Sequence, residues 1–313
     1  MSSQGRTAIR KVGLAVVGLP PLLVLSAAAL YRENHRPKLP KDYTLQDLTG
    51  KTVVATGASS GIGHAAVARL RELGATIRSG SRSEGNLDLS DISSVKKFVQ
   101  SIDKCDLVLA CAAEVHTTRG ETSVDRFDKT FATNHIGLQV LLNEIEEKQL
   151  TPSRVVVVGS KLERNGLVDL DVVRKTGGKK LNNRPEKEFT AVKHYGDTKL
   201  CNQLLVTALA ERWHETKVFS VSPGMVDTGL WRNFPVWFRF LTWPVRRVAL
   251  RTPQDAALGV VYVCASEEAE YQPTGTFFVD GNVELASEES TNLQTAKNLW
   301  KIVEDLILES EKR

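Results

Sequence analysis

No pair of the four cysteines, Cys105, Cys111, Cys201 and Cys264, stands at metal-ligand spacing, which excludes a cysteine-built metal site. Cys111 and Cys201 fall in apolar patterns and read as small buried hydrophobes. The chain also lacks any Asn-x-Ser/Thr sequon, and both features lean toward a reducing compartment. There is no internal repeat, so a solenoid is excluded. A strong excess of one charge is missing too: the formal net charge of the 313 residues is +4. Residues 1–41 carry +6 of it, from seven Lys/Arg against Glu33, which leaves the body at −2. A mildly acidic body argues against a nucleic-acid partner, whereas basic flanks suit a membrane surface.

One stretch lacks charge altogether. Val12–Leu30 is 19 residues without Asp, Glu, Lys or Arg. As a helix it would span roughly 28 Å, close to a hydrocarbon core of about 30 Å. Pro20-Pro21 would kink it, which a membrane helix tolerates. The reading adopted is a basic N-terminus over 1–11, a single transmembrane anchor over 12–31 and a linker over 32–49. A signal peptide cleaved near Ala27-Ala28-Ala29 and an organelle presequence are the alternatives. Arg32, Arg36, Lys38 and Lys41 slightly outnumber Arg6, Arg10 and Lys11, which places the body on the cytosolic side.

From residue 50 onward strand and helix patterns alternate. Strands are expected at 52–56, 76–80, 107–111, 154–158, 217–221 and 276–279. Helices are expected at 65–73, 94–102, 124–147, 191–213, 253–265 and about 292–309. Such alternation predicts an α/β fold: a doubly wound parallel sheet with helices on both faces. Between Arg82 and Ser90 there is no room for a crossover helix, so a brief third strand and a plain loop are expected. Residues 165–188 read as a basic surface loop with a solvated charged face.

Two motifs carry the chemistry. Thr56-Gly57-Ala58-Ser59-Ser60-Gly61-Ile62-Gly63 follows an apolar strand, and such a strand-to-helix turn suits a pyrophosphate. Gly57 permits the turn, Gly61 a close approach of phosphates and Gly63 close helix packing. Far downstream, Tyr195 and Lys199 lie four apart and share a helix face. A phenol must shift by ~3 units, or ~4 kcal/mol, to act near pH 7. A lysine charge about 4 Å away supplies roughly that at an effective dielectric of 20. Either motif alone is compatible with a bland surface or a plain turn; the two in this order are not.

From Thr52 to about Trp300 the chain resembles the short-chain dehydrogenase/reductase family, most of all its membrane-anchored retinol dehydrogenase group. The resemblance implies Tyr195 as proton donor, Lys199 on the cofactor ribose, Ser160 on the substrate carbonyl and Asn134 holding a proton-relay water. It implies cofactor contacts at Ser59, Ser60, Ile62, Asp88 and Ala112, and at the turn holding Pro223, Gly224, Val226 and Thr228. Relatives carry Asn-Asn-Ala-Gly where this chain has Ala110-Cys111-Ala112-Ala113, and Gly159 replaces the first of two serines. Arg82 ends the second strand with no acid between Thr76 and Ser83, and Ser81 and Ser83 add hydroxyls. A guanidinium there pairs with a 2′-phosphate, so NADP(H) is favoured over NAD(H).

The few aromatics, 6% of the chain, are concentrated. Trp231, Phe234, Trp237, Phe238, Phe240 and Trp243 fall within 13 residues after the Pro-Gly turn, among five arginines. The segment reads as an apolar lid beside a bilayer, and a core segment is the alternative. With the anchor it points to a lipophilic carbonyl or alcohol: retinoid, steroid or lipid aldehyde. The resemblance places such a protein on the endoplasmic reticulum and is compatible with a homodimer. The opposing functional reading is a non-catalytic, cofactor-binding membrane scaffold, motivated by the altered Ala110–Ala113 stretch.

Overall fold

The computed structural model describes residues 37, 39–227, 236, 242–243 and 249–312. The proposed anchor, Thr228 and most of the aromatic segment lie outside the described residues. Among those described, no helix is long and apolar enough to cross a membrane.

A seven-stranded sheet forms the centre, in the order β2-β1-β3-β4-β5-β6-β7. Its strands are β1 (Thr52–Thr56), β2 (Thr76–Gly80), β3 (Leu107–Ala110), β4 (Arg154–Val158), β5 (Lys217–Ser222), β6 (Phe277–Val279) and β7 (Asn282–Glu284). The first six run parallel and β7 is antiparallel. β1, β3 and β4 are buried along their whole length, as a sheet covered on both faces requires. The principal helices are α1 (Gly61–Glu72), α2 (Ile92–Gln100), α3 (Gly137–Glu147), α4 (Leu170–Lys175), α5 (Ala191–Arg212), α6 (Pro253–Ala265) and α7 (Leu293–Glu311). One core layer joins α1 and α6 to the sheet and the other joins α2, α3, α5 and α7. This is the doubly wound arrangement that the alternation predicts.

Five local features differ from expectation. The helix expected at 124–147 does not begin at Val124, because Arg126 turns to a left-handed φ of 68°. Asp128 then caps a new start by accepting from Phe131 N, and the helix widens into a π turn at Ala132–Ile136 before α3. After β2 a 3-10 turn, Arg82–Glu84, replaces the expected third strand. Leu87 and Leu89 enter the core without pairing, so β2 is the sheet edge. The outer side of β2 and α2 bound a cleft of about 790 Å³. At the other edge, β7 follows β6 through Asp280-Gly281, both at positive φ, a two-residue hairpin that an Asp-Gly pair favours.

The remaining two concern segments expected to be loose. Residues 43–48 of the linker dock on the body: Tyr43 meets Tyr262 edge-on at 5.4 Å and Leu48 is buried. Residues 165–188 are no solvated loop. They form α4, bury Val173 and Leu181, and send Arg184 inward to a buried carboxylate on α5.

Candidate active site

The C-terminal ends of β1, β3 and β4 meet where neighbouring crossovers leave in opposite directions, the place where open α/β sheets bind ligands. Gly57 has a φ of 68°, and a Cβ there would lie 2.7 Å from the Ala112 backbone. A Cβ on Gly63 would lie 2.3 Å from the Gly57 carbonyl oxygen. Only glycines let the turn, α1 and the Ala112 strand end come this close. Ser60 caps α1 without a side-chain hydrogen bond, and no acid stands in its first turn. Its leading N–H groups are therefore free of side-chain acceptors, a fit for a pyrophosphate. Ser59 and Ser60 are exposed at this turn and Ile62 is half-buried.

α5 carries the proton chemistry. Thr190 caps its start by accepting from Lys193 N, and Gly196 allows the turn after Ser160 to press on it. A Cβ on Gly196 would stand 3.0 Å from the Leu162 carbonyl oxygen. This contact brings Ser160, at the end of β4, to the helix bearing Tyr195. Ser160 Oγ accepts from Leu162 N, which leaves its hydroxyl proton without an acceptor among the described residues. Lys199 is buried and donates from Nζ to the Val158 carbonyl at 2.8 Å. Its ammonium stands 5.3 Å from the centre of the Tyr195 ring.

Burial, more than the lysine charge, governs these groups. It raises the Tyr195 phenol above its ordinary value, with Cys111 adding to the rise. It lowers Lys199 to about 8. The phenol is protonated across the neutral range, which suits a proton donor. Burial also pushes the Cys111 thiol up to about 12 against the pull of Lys199.

Asn134 sits in the π turn with its amide fully committed. It accepts from Glu114 N at 2.8 Å and donates to the Glu114 carbonyl and Thr198 Oγ1. It thus ties the end of β3 to α5. Ala112 N donates to Thr56 Oγ1. Gly224 has a φ of 76°, and Arg251 holds its turn by donating to the Pro223 carbonyl at 2.9 Å and pairing with Asp280. Val226 bridges to Arg251 in parallel. Asp88 Oδ1 accepts from Ser90 N and Oγ, which fixes the turn into α2. Ser81 is drawn into its own turn, accepting from Glu84 N and pairing with Ser83 Oγ. Among the described residues there is no His, Cys, Asp and Glu group able to hold a metal.

Sequence reasoning missed three charged residues. Glu114 pairs with Arg82 at 2.6 Å. Asp197 lies buried between Tyr195 and Lys199 and accepts from Arg184, Asn182 and Leu167 N. His194 bridges Asp197 and Asp128. A charge inside the Tyr-x3-Lys spacing, at a position facing the core, was the available signal for Asp197.

Residues 53–226 match the family described as NAD dependent epimerase/dehydratase. Dehydrogenase/reductase SDR family member 13 of Homo sapiens is 30% identical over 309 residues, covering 89% of this chain and 78% of that protein. Retinol dehydrogenase 14 of Mus musculus is 29% identical over 299 residues, covering 82% and 86%. Among solved structures, 3-ketoacyl-(acyl-carrier-protein) reductase from Brucella melitensis complexed with NADH superposes with a TM-score of 0.53 at 20% identity, covering 74% of this chain and 97% of that one. The angucycline C-6 ketoreductase LanV with bound NADP does so with a TM-score of 0.55 at 19% identity, covering 75% and 95%. With a glycine turn, a buried Lys199 beside Tyr195 and a serine at one sheet end, and with these relatives, the chain belongs to the short-chain dehydrogenase/reductase family and is an oxidoreductase of the kind that acts on CH–OH donors.

Proposed function

We propose that the protein is a membrane-held, NADP(H)-preferring oxidoreductase that interconverts a lipophilic carbonyl, a retinal, steroid or lipid aldehyde or ketone, and its alcohol. The observation that carries this is the Tyr195 ring, set beside the Lys199 ammonium and the turn of Ser160 at the mouth of the glycine cradle. A nicotinamide dinucleotide, when bound, supplies or accepts the hydride. Gly57, Gly61, Gly63 and the α1 N-terminus would hold its phosphates, and Lys199 its ribose. Tyr195 holds the proton that the carbonyl oxygen receives, and the free Ser160 hydroxyl proton orients that oxygen by hydrogen bonding.

The preference for NADP(H) rests on Arg82, half-exposed at the end of β2 with no acid along that strand. The lipophilic substrate class is supported by the uncharged Val12–Leu30 stretch, the aromatic segment and the likeness to retinol dehydrogenase 14. Trp243, the one described tryptophan of that segment, is 56% exposed, as a surface meeting ligand or lipid would be. Detergent-solubilised full-length protein offered retinal, steroid ketones and short aldehydes, with NADPH or NADH, tests the proposal. Turnover is expected on the large apolar carbonyls and faster with NADPH. Turnover restricted to small polar carbonyls counts against the substrate class, and none at all with either cofactor counts against catalysis.

A further inference from the structure

β2 and β3 flank β1, so the ends of both stand on either side of the glycine turn. Arg82 leaves the end of β2 and Glu114 the loop after β3. Arg82 Nη2 donates to Glu114 Oε2 at 2.6 Å, and the ion pair spans the mouth above β1. Glu114 is firmly held, with its side chain only 9% exposed against 51% for Arg82. Its Oε1 accepts from Thr133 Oγ1 at 3.1 Å and lies 2.5 Å from His116 Nε2. Its backbone exchanges two hydrogen bonds with the Asn134 amide. His116 in turn meets Glu121 through Nδ1 at 2.8 Å, and Lys129 is the nearby opposing charge. Burial opposes charge on Glu114, yet His116 and Arg82 together hold it ionised, down to about 2.

We propose that Glu114 is a specificity-determining residue that shares Arg82 with the 2′-substituent of the cofactor ribose and thereby restrains the preference for NADP(H). The proposal rests on the reading of Arg82 as the residue facing that substituent. Glu114 uses one of the five guanidinium N–H donors and the exposed edge offers the rest. Any phosphate bound on that edge lies within about 6 Å of the Glu114 carboxylate, one guanidinium away. A 2′-phosphate dianion therefore meets an attractive and a repulsive charge at once, whereas a 2′-hydroxyl is indifferent to the second. Even at the dielectric of water, repulsion of a double charge at about 6 Å amounts to roughly a tenfold change in affinity. His116, whose pKa is raised by its hydrogen bond to Glu114, offsets part of it when protonated.

Fluorescence titration of NADPH and NADH onto the native protein, Glu114→Gln, His116→Gln and Arg82→Gln, without substrate, tests this. Glu114→Gln keeps a hydrogen-bond acceptor for Arg82 but not the charge. It should tighten NADPH about tenfold and move NADH by less than about twofold. His116→Gln should weaken NADPH severalfold and spare NADH. An unchanged or lowered NADPH-to-NADH affinity ratio in a folded Glu114→Gln overturns the proposal. Should that variant fail to fold, an unchanged ratio in His116→Gln overturns it. Arg82→Gln reports the underlying reading separately. If it leaves NADPH binding intact, Arg82 does not face the phosphate and both ideas fall. If it weakens NADPH while the other two variants change nothing, only the restraint by Glu114 falls.

Discussion

Tyr195 enters the reaction protonated, and this makes the two directions respond differently to pH. Carbonyl reduction needs the phenol, which persists because burial raises its pKa. Alcohol oxidation needs the phenolate, which becomes available only as pH rises. Reduction rates should therefore stay level from about pH 6 to 8 while oxidation rates climb, as parallel pH–rate profiles will show. Tyr195→Phe keeps the ring and should lower turnover in both directions by several orders of magnitude with cofactor affinity near native. Near-normal turnover in that variant would remove Tyr195 from the chemistry. Tyr195, Lys199, Ser160 and the three glycines were legible because each sits at a fixed spacing from a strand end or helix turn. Glu114 was not, since its meaning depends on Arg82, 32 residues away in the turn after β2. The state of Asn134 was also hidden: its partner Thr198 is 64 residues distant.

At the scale of elements, segment 165–188 is a clamp on the catalytic helix. Arg184 grips both oxygens of Asp197, and Asn182 and the Leu167 amide complete its shell. His194, one turn earlier, joins Asp197 to Asp128 at the start of the π-turn helix. Burial disfavours charge on His194, but the two aspartates raise it to about 9. A raised folded pKa stabilises below the unfolded value near 6.5 and ceases to do so as pH rises through about 9. Stability should decline over that window by about 3 kcal/mol, and His194→Gln should flatten the decline in denaturant titrations at several pH values. Arg184→Met leaves the carboxylate underpaired and should lower stability by about 3 kcal/mol. If its melting temperature matches the native one, the clamp is decorative. The alternation of strands and helices was readable from period and turn residues. The clamp was not, because a basic, glycine-containing stretch has the composition of a solvated loop, and only its partner on α5 makes it a buried one. The antiparallel β7 was missed, although Asp280-Gly281, a dipeptide that favours a two-residue hairpin, was the signal for it.

For the molecule as a whole, residues 39–48 mark where the body begins. A chain starting at Lys41 keeps Tyr43 against Tyr262 and Leu48 in the core but loses Leu39, which packs on the same layer, so its melting temperature should fall only slightly below that of the full-length protein. A chain starting at Lys51 loses both contacts. Burial of one such side chain contributes roughly 1.5–3 kcal/mol, so its melting temperature should fall by several degrees. The full-length chain should pellet with membranes after alkaline washing and the Lys41 form should not. Recovery of both in the supernatant would exclude the anchor. The packing of α7 has a different consequence. α7, the last 19-residue helix, buries Leu299, Trp300, Val303 and Leu306 against α5 and α3, and Gln139 reaches 161 residues along the chain to donate to the Trp300 carbonyl. The catalytic helix thus lacks one wall until α7, far downstream of it, has been made. Synthesis therefore cannot complete the site when α5 emerges; the site waits for α7, and a nonsense codon anywhere between the two yields a chain with an open core for the quality-control machinery to remove.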